Sequence, residues 1–246
     1  MEKRIIRSSI AGILLLFAAT IIACSEEPLV YITETGRKYH RENCRYLERS
    51  KIPILLSTAV SMGYEPCGHC DPPPPPSGIE APSESSDLYR VNVSGVEQPE
   101  EADLSRMTRA VVVRHVDGDT VYVSIPRPPE GLKGYESVRF LGVDTPETVH
   151  PQKLVERFGK EASEFTRRHL LNQPVFLAFD WQLRDHYKRL LAYIYLADGS
   201  CFNATLVREG YAHAYTRYPF QFLEQFRALE REAREKGRGL WGQENE

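Results

Sequence analysis

Five consecutive prolines, Pro72 to Pro76, separate this chain into two parts. Proline lacks the N–H group that helices and inner strands use, so a proline run forms a stiff polyproline II spacer. The residues that follow are rich in Ser, Glu, Gly and Pro, and such a composition cannot bury a core. We therefore predict a linker over residues 72–103, between a small unit at 29–71 and a larger domain at 104–243.

The first 23 residues have the pattern of a bacterial signal peptide. Three basic residues precede the apolar run Ile10–Ala23, which is too short for a membrane-spanning helix of about 20 residues. The run ends in Ile-Ile-Ala and is followed by Cys24, a pattern that resembles the lipoprotein box. We expect cleavage before Cys24 and lipidation of its thiol, which would anchor the mature chain to a membrane outside the cytoplasm. In the alternative, the signal is an ordinary secretory one and Cys24 is incidental.

The net charge of −3 gives the whole chain no general affinity for polyanions. Residues 1–103 carry a formal charge of −5, and residues 104–246 carry +2. Tight non-specific DNA binders usually have a stronger basic excess, so any contact with nucleic acid must be local. The chemistry therefore has to be sought in individual motifs.

The larger domain has strand patterns first and helix patterns later. β-branched residues dominate the early segments, and Asp117-Gly118 between the first two is a strong hairpin signal. Apolar residues recur at helical spacing in three other segments. The predicted strands cover residues 110–116, 120–125, 138–143, 174–179 and 190–196, and the predicted helices cover 156–171, 203–209 and 220–235. This order fits an α+β, mainly β fold: a five-stranded Greek-key barrel of the OB type with three helices.

Three segments of this domain concentrate carboxylates and arginines that a barrel does not need for stability: residues 116–120, 139–147 and 185–189. Two carboxylates and a backbone carbonyl at one barrel mouth form an all-oxygen site, which suits a hard cation such as Ca²⁺. A third carboxylate can hold or deprotonate a water molecule. Two arginines can bind phosphate oxygens and stabilise the charge that grows on them. Together these groups describe metal-assisted phosphodiester hydrolysis.

In this order, the three segments resemble the thermonuclease (staphylococcal nuclease) family over about residues 104–242. Other matching motifs are His150-Pro151, Phe158-Gly159-Lys160-Glu161-Ala162, Leu191-Ala192-Tyr193-Ile194-Tyr195, Leu206-Val207-Arg208-Glu209-Gly210 and Gly239-Leu240-Trp241. The resemblance implies an OB barrel with three helices. It also implies a nuclease that cuts DNA and RNA with little sequence preference and leaves 3′-phosphate ends.

The resemblance implies a role for each matching residue. The implied calcium ligands are Asp119, Asp144 and the backbone carbonyl of Thr145. Glu147 would position or deprotonate the attacking water, and Arg139 and Arg189 would bind the scissile phosphate. Each of these side chains, taken singly, is more often structural. Their joint occurrence favours catalysis.

Residues near the second arginine bear on substrate binding. Tyr187 and Tyr215 would flank a nucleotide by stacking or hydroxyl contacts, although core packing explains either equally well. His186 replaces a basic residue of the family, and Arg217 replaces a second nucleotide-facing tyrosine. Lys188 stands where the family commonly has Gly, so a turn that needs a positive φ would be strained and would displace Arg189.

The small N-terminal unit has the ligand spacing of a tetrahedral Cys₃His zinc site. The four residues are His40, Cys44, Cys67 and Cys70, arranged as H-x₃-C and C-x₂-C. The segment resembles small metal-binding modules of the Ada type. Disulfides are the alternative outside the cytoplasm, and His69 is a possible substitute ligand. A unit of this size needs such a staple to fold.

The partners expected from the sequence are single-stranded DNA or RNA, and a membrane through the lipid anchor. No obligate protein partner is inferred. The rival function is a non-catalytic OB module that binds nucleic acid or protein on a surface lipoprotein. Such a module would lose the arginines or the acidic pair, whereas this chain retains them.

Overall fold

The computed structural model describes residues 27–79, 98–147 and 158–242. The predicted signal peptide, Cys24, most of the linker and the His150-Pro151 motif lie outside these ranges. Within them, no helix combines the length and the apolar character that crossing a membrane requires. The structure does not test the domain boundaries given above, which stay predictions.

The N-terminal unit contains four short strands and one helix. They are β1 (Leu29–Ile32), β2 (Lys38–Tyr39), β3 (Ile52–Leu55), α1 (Leu56–Ser61) and β4 (Glu65–Pro66). Strand β1 pairs antiparallel with β3, and β2 pairs parallel with β4. Alternate residues of β1 and β3 are buried, as the two-residue period of a strand requires. The unit therefore has a small core of its own.

The larger domain contains seven strands and three helices in the described ranges. They are β5 (Thr108–His115), β6 (Thr120–Ser124), β7 (Tyr135–Phe140), β8 (Val143–Asp144), α2 (Gly159–Leu170), β9 (Pro174–Ala178), β10 (Leu190–Tyr195), α3 (Phe202–Arg208), β11 (His213–Ala214) and α4 (Leu223–Glu235). Five strands close a barrel in the order β10-β7-β6-β5-β9, and β9 pairs with β10. Only the β7–β10 pair is parallel. The predicted five-stranded OB barrel with three helices is confirmed.

One strand prediction is wrong. Residues 138–143 do not form a single strand, because β7 ends at Phe140 and Gly142 takes a φ of +74°. A β-carbon at Gly142 would lie 2.7 Å from the ring of Phe220, so only glycine fits this turn. Val143 and Asp144 then form β8, which pairs with β11. The turn thus separates Asp144 from the barrel strand that carries Arg139.

The two helix boundaries predicted around residues 156 and 220 also differ. Helix α2 begins at Gly159, after Phe158 with a φ of +65°, and residue 156 lies outside the described ranges. Helix α4 begins at Leu223 rather than at residue 220. Phe220 and Phe222 precede the helix and are buried in the barrel core. Their helical spacing in the sequence reflects packing against the barrel core, and the backbone becomes helical only at Leu223.

The N-terminal unit packs against the outer face of the barrel. Ala110 and Val112 of β5 belong to the barrel core, whereas Val111 and Val113 belong to the hydrophobic cluster of the N-terminal unit. Since successive side chains point to opposite faces, β5 is buried on both. Tyr64 adds a buried hydrogen bond from its hydroxyl to Ser124 Oγ on β6, at 3.0 Å. Burial raises the pKa of Tyr64 to about 12, so the hydroxyl stays protonated and donates.

Cys201 lies at the junction between β10 and α3. Its thiol is fully buried, and burial raises its pKa to about 12.

Candidate active site and Cys/His cluster

A tight turn between β5 and β6 delivers the first acidic residue. Asp119 donates its backbone N–H to Asp117 Oδ1 at 3.1 Å, and Thr166 Oγ1 donates to the carbonyl of Gly118 at 2.6 Å. A β-carbon at Gly118 would lie 2.6 Å from Thr145 Oγ1. The missing side chain therefore lets the β5–β6 turn approach the loop after β8.

The Asp119 side chain is buried, with 6% of the residue exposed, and several donors hold its carboxylate. Its Oδ2 accepts from both the backbone N–H and the hydroxyl of Thr145, each at 3.0 Å. Its Oδ1 accepts from Thr120 Oγ1 at 3.0 Å. A buried carboxylate needs such partners because desolvation would otherwise favour its neutral form.

Arg139 joins the two acidic segments. Its Nη1 lies 2.8 Å from Asp119 Oδ2 and donates to the carbonyl of Val143 at 2.7 Å. Its Nη2 donates to Asp144 Oδ1 at 3.0 Å. The register of β6 with β7 sets Thr120 opposite Arg139, which explains why residues distant in sequence meet here. Two carboxylates thus face one guanidinium.

Asp117 lies beside this pair with a perturbed pKa. Burial, and then the charge of Asp119, raise the pKa of Asp117 to about 7. Its hydrogen bond to the Asp119 backbone also serves the turn. The structural role that the sequence suggested for Asp117 agrees with this contact.

The second arginine is presented by the turn between Asp185 and Arg189. Lys188 has a φ of +68°, so the turn does require the left-handed conformation. Even so, Asp185 accepts from Arg189 N at 2.9 Å and from Arg189 Nε at 2.7 Å. The Arg189 guanidinium also lies 5.4 Å from the centre of the Tyr187 ring. These contacts close the turn and hold Arg189 against Asp185.

Both arginines line one cleft of about 590 Å³. Asp144 and the residues expected to contact substrate, His186, Tyr187 and Tyr215, line it too. The sequence did not identify Asp180, Trp181 and Tyr218, which also line it. The sequence signal for Trp181 is a large aromatic side chain in the mostly polar connection between β9 and β10.

Three of the predicted site residues are not on the wall of this cleft. Asp119 contacts Arg139 directly, and Thr145 contacts Asp119. Glu147 is half-buried in the loop after β8, at the edge of the described ranges. Glu147 follows Asp144 by three residues in the sequence.

The Cys/His cluster forms where β2 and β4 pair. The ligand atoms of its four residues all lie within 4.8 Å of one another. His40, Cys44 and Cys67 are buried, and all three cysteines of the cluster are free thiols. Cys70 Sγ lies 4.0 Å from His40 Nδ1 and accepts from Arg41 N at 3.3 Å. Nitrogen and sulfur donors in this number match a structural zinc site.

His69, the substitute ligand weighed from the sequence, is not part of the cluster. Its ring packs edge-on against Tyr46 with the ring centres 5.6 Å apart. Its backbone N–H donates to Cys67 Sγ at 3.4 Å. His69 therefore supports a ligand through its backbone.

Comparison with known proteins identifies the family of the barrel. The model of the staphylococcal nuclease homologue family matches residues 137–243. Thermonuclease of Staphylococcus hyicus is 40% identical over 131 residues, which cover 53% of this chain and 73% of that protein. Thermonuclease of Staphylococcus intermedius is 42% identical over 135 residues, covering 53% and 74%. The chain belongs to the staphylococcal nuclease family.

Membership of the staphylococcal nuclease family makes this chain an enzyme of the nuclease class. A third relative, endonuclease YncB of Bacillus subtilis (strain 168), is 32% identical over 200 residues, covering 78% of this chain and 90% of that protein. This match is longer than the segment 104–242. The similarity to YncB therefore extends beyond the barrel, into residues on its N-terminal side.

Proposed function

We propose that this nuclease is a calcium-dependent phosphodiesterase that hydrolyses DNA and RNA with low sequence specificity. One observation carries the proposal: Arg139 contacts both Asp119 and Asp144, and Arg189 lines the same cleft. Two carboxylates that share one guanidinium, beside a cleft lined by both arginines, match a phosphodiester substrate, because a cation held by carboxylates and the arginines can both bind phosphate oxygens.

The donor set supports calcium as the metal. Asp119, Asp144 and the carbonyl of Thr145 would hold the ion, and oxygen ligands are those that Ca²⁺ prefers. Thr145 is fixed beside Asp119 by two hydrogen bonds, so these groups are already gathered. When bound, calcium supplies positive charge that stabilises the phosphoryl oxygens as negative charge grows on them.

The protein groups divide the remaining chemistry. Glu147 would accept a proton from a water molecule, whose oxygen attacks phosphorus. The bond from phosphorus to the 5′ oxygen breaks, and that oxygen takes up a proton from solvent. Arg139 and Arg189 would donate N–H groups to the non-bridging oxygens of the scissile phosphate. The products are a 3′-phosphate and a 5′-hydroxyl.

A comparison of wild-type protein with Asp144→Ala tests this function. We expect full-length wild-type protein to degrade single-stranded DNA with Ca²⁺ and to stop when EGTA is added. Asp144→Ala should lose activity by a factor of about 10³ or more, since a catalytic metal contributes several kcal/mol. Its circular dichroism should stay unchanged, because Asp144 is exposed.

Asp198→Asn is the matched control, because its exposed carboxylate bonds only within its own turn, to Ser200. This variant should retain wild-type activity. Full activity in EGTA would contradict the calcium mechanism. Tight binding of DNA without cleavage would favour the non-catalytic binding module.

We also propose that the cluster of His40, Cys44, Cys67 and Cys70 binds one structural Zn²⁺. The 4.8 Å limit on their ligand-atom separations supports this, because one ion with Zn–S bonds of about 2.3 Å could draw all four inward. Metal analysis should find one zinc per chain, and Co²⁺ substitution should give thiolate charge-transfer absorption. A disulfide among these cysteines in the purified protein, found by mass spectrometry, would exclude the zinc site.

The place of action is a further part of the proposal: the nuclease is held at a membrane by lipid on Cys24. The pattern Ile21-Ile22-Ala23-Cys24 supports it. Wild-type protein should carry a lipid on an N-terminal Cys24 in mass spectra. Cys24→Ser should release the protein from membrane fractions or leave the precursor uncleaved. A wild-type protein without lipid would refute the anchor.

A further inference from the structure

Exposed aromatic side chains are concentrated at the cleft of the two arginines. Among the described residues six large apolar side chains are exposed, and three of them line this cleft: Trp181 at 63%, Tyr187 at 69% and Tyr218 at 57%. Single exposed apolar residues are common on protein surfaces. Several in one concave site mark a recognition surface. Trp181 and Tyr218 have no part in the chemistry proposed above.

The Trp181 side chain is fixed in place although it is exposed. Its indole Nε1 donates to the carbonyl of Pro219 at 3.2 Å, and its backbone N–H donates to Asp180 Oδ1 at 2.7 Å. Asp180 Oδ2 accepts from Gln221 N at 2.7 Å and from Tyr193 Oη at 3.1 Å. Asp180 therefore ties the loop of Trp181 to the segment before α4. A rigid aromatic side chain loses little entropy when a ligand stacks on it.

The aromatic surface continues from Trp181 along that segment. Tyr218 directly precedes Pro219, and its ring centre lies 6.0 Å from that of Tyr215. The Arg217 guanidinium lies 5.7 Å from the Tyr218 ring. Flat rings that alternate with arginines in one groove are the combination that binds single-stranded nucleic acid, because rings stack on bases and arginines contact phosphates.

We propose that Trp181 and Tyr218 stack on unpaired bases that flank the scissile phosphate, so that these two side chains strengthen binding of single strands longer than one nucleotide. The proposal rests on the phosphodiesterase function above. Bases in a duplex are stacked on each other and do not offer free faces. Since every base has a flat face, stacking of this kind selects strand state and length without selecting sequence.

Substrates of two sizes separate this role from catalysis. The minimal substrate is a nitrophenyl phosphodiester of one nucleoside, and the long one is a single-stranded decathymidylate. In Trp181→Ala, kcat/KM on the decamer should fall by about 5- to 100-fold, the usual effect of losing one stacked base. On the minimal substrate it should stay within about twofold. Tyr218→Ala should give the same pattern, and Trp181→Phe should restore most of the loss on the decamer.

Fluorescence gives a readout that does not depend on turnover. The chain has two tryptophans, and Trp241 packs between Arg234 and His213. In a Trp241→Phe background, the decamer added in EGTA should quench Trp181 emission, whereas duplex of the same length should not.

Each other outcome contradicts a stated part of the argument. Equal losses on both substrates would assign Trp181 a structural role, and no loss together with no quenching would remove the stacking platform. An inactive wild-type protein whose Trp181 is still quenched would refute the phosphodiesterase function and leave the platform in place.

Discussion

The acidic cleft and the Cys/His cluster both gather metal-binding side chains, but the polypeptide holds them differently. Beside the cleft, Asp119 accepts three hydrogen bonds and forms an ion pair with Arg139, so the site is formed by the barrel itself. In the cluster, backbone N–H groups donate to the sulfurs, from Arg41 to Cys70 at 3.3 Å and from His69 to Cys67 at 3.4 Å. Under the proposals above, the barrel would need calcium only for chemistry, whereas the N-terminal unit would need zinc to fold.

Size explains this difference. The barrel has an extensive core of its own, while the core of the N-terminal unit is small, and a unit of this size usually needs a staple as well. The two still share a boundary at Val111 and Val113. Loss of the zinc should therefore lower the stability of the barrel, whereas loss of calcium should leave the N-terminal unit folded.

Cys67→Ser should have the largest effect on stability. Structural zinc supplies the folding free energy of small metal-bound units, so this variant should lose zinc and unfold the N-terminal unit. Exposure of Val111 and Val113 should then lower the free energy of unfolding of the barrel by about 3–6 kcal/mol, at roughly 1.5–3 kcal/mol for each valine. Urea titrations followed by circular dichroism measure both transitions. His69→Ala, next to the cluster but outside it, should retain zinc; unchanged barrel stability in Cys67→Ser would show that the two units are independent.

Arg139→Lys and Arg189→Lys should affect rate rather than stability. Loss of one donor to a developing charge costs a factor of about 10² to 10³ in kcat, and Lys cannot reproduce the planar fork. Because Asp185 holds Arg189 as firmly as the acidic pair holds Arg139, both variants should be impaired. Steady-state kinetics on single-stranded DNA measure this, with the exposed Arg168→Lys as control. Near wild-type turnover in both variants would mean that the phosphate contacts are misassigned.

Tyr64→Phe should weaken the boundary between the two units. The change removes the hydrogen bond that Tyr64 donates to Ser124. The Ser124 hydroxyl stays buried without this donor, which costs about 1–2 kcal/mol. The free energy of unfolding, measured in urea, should fall by that amount while kcat stays unchanged. Tyr46→Phe, on the exposed side of the same unit, should have a much smaller effect. Equal effects would argue against a specific contact at Tyr64.

Lys188→Gly should have the smallest effect. A left-handed backbone costs an ordinary residue about 1–2 kcal/mol, and glycine avoids this at some entropic cost. The melting temperature should therefore rise slightly, by an amount equivalent to about 1 kcal/mol or less. Turnover should stay within about twofold, because Arg189 is already paired with Asp185. A large gain in kcat would indicate that Lys188 does displace Arg189 in solution.

Local signals predicted the barrel, and non-local contacts caused the errors. The Asp117-Gly118 turn and the β-branched runs identify the hairpin from neighbouring residues alone. The break at Gly142 depends on the ring of Phe220, which is far away in sequence, so no local pattern indicates it. Trp181 was missed for the same reason, because its position at the cleft depends on its contact with Pro219, which is far away in sequence.

The packing of the N-terminal unit against the barrel did leave a signal in the sequence. Val111, Val112 and Val113 form an unbroken apolar run, whereas a strand with one face in solvent alternates apolar and polar residues. Such a run is typical of a strand that is buried on both faces, as β5 is. What covers the outer face could not be predicted, because it depends on how α1 and β3 fold around the cluster.

The buried thiol of Cys201 can report unfolding of the barrel. The thiolate is the form that reacts with alkylating reagents, and a fully buried thiol with a pKa near 12 offers none to the solvent. Cys201 should therefore be labelled only when β10 separates from α3, so its labelling rate measures how often the barrel opens. The same burial keeps this thiol from forming disulfides with other molecules while the barrel is folded.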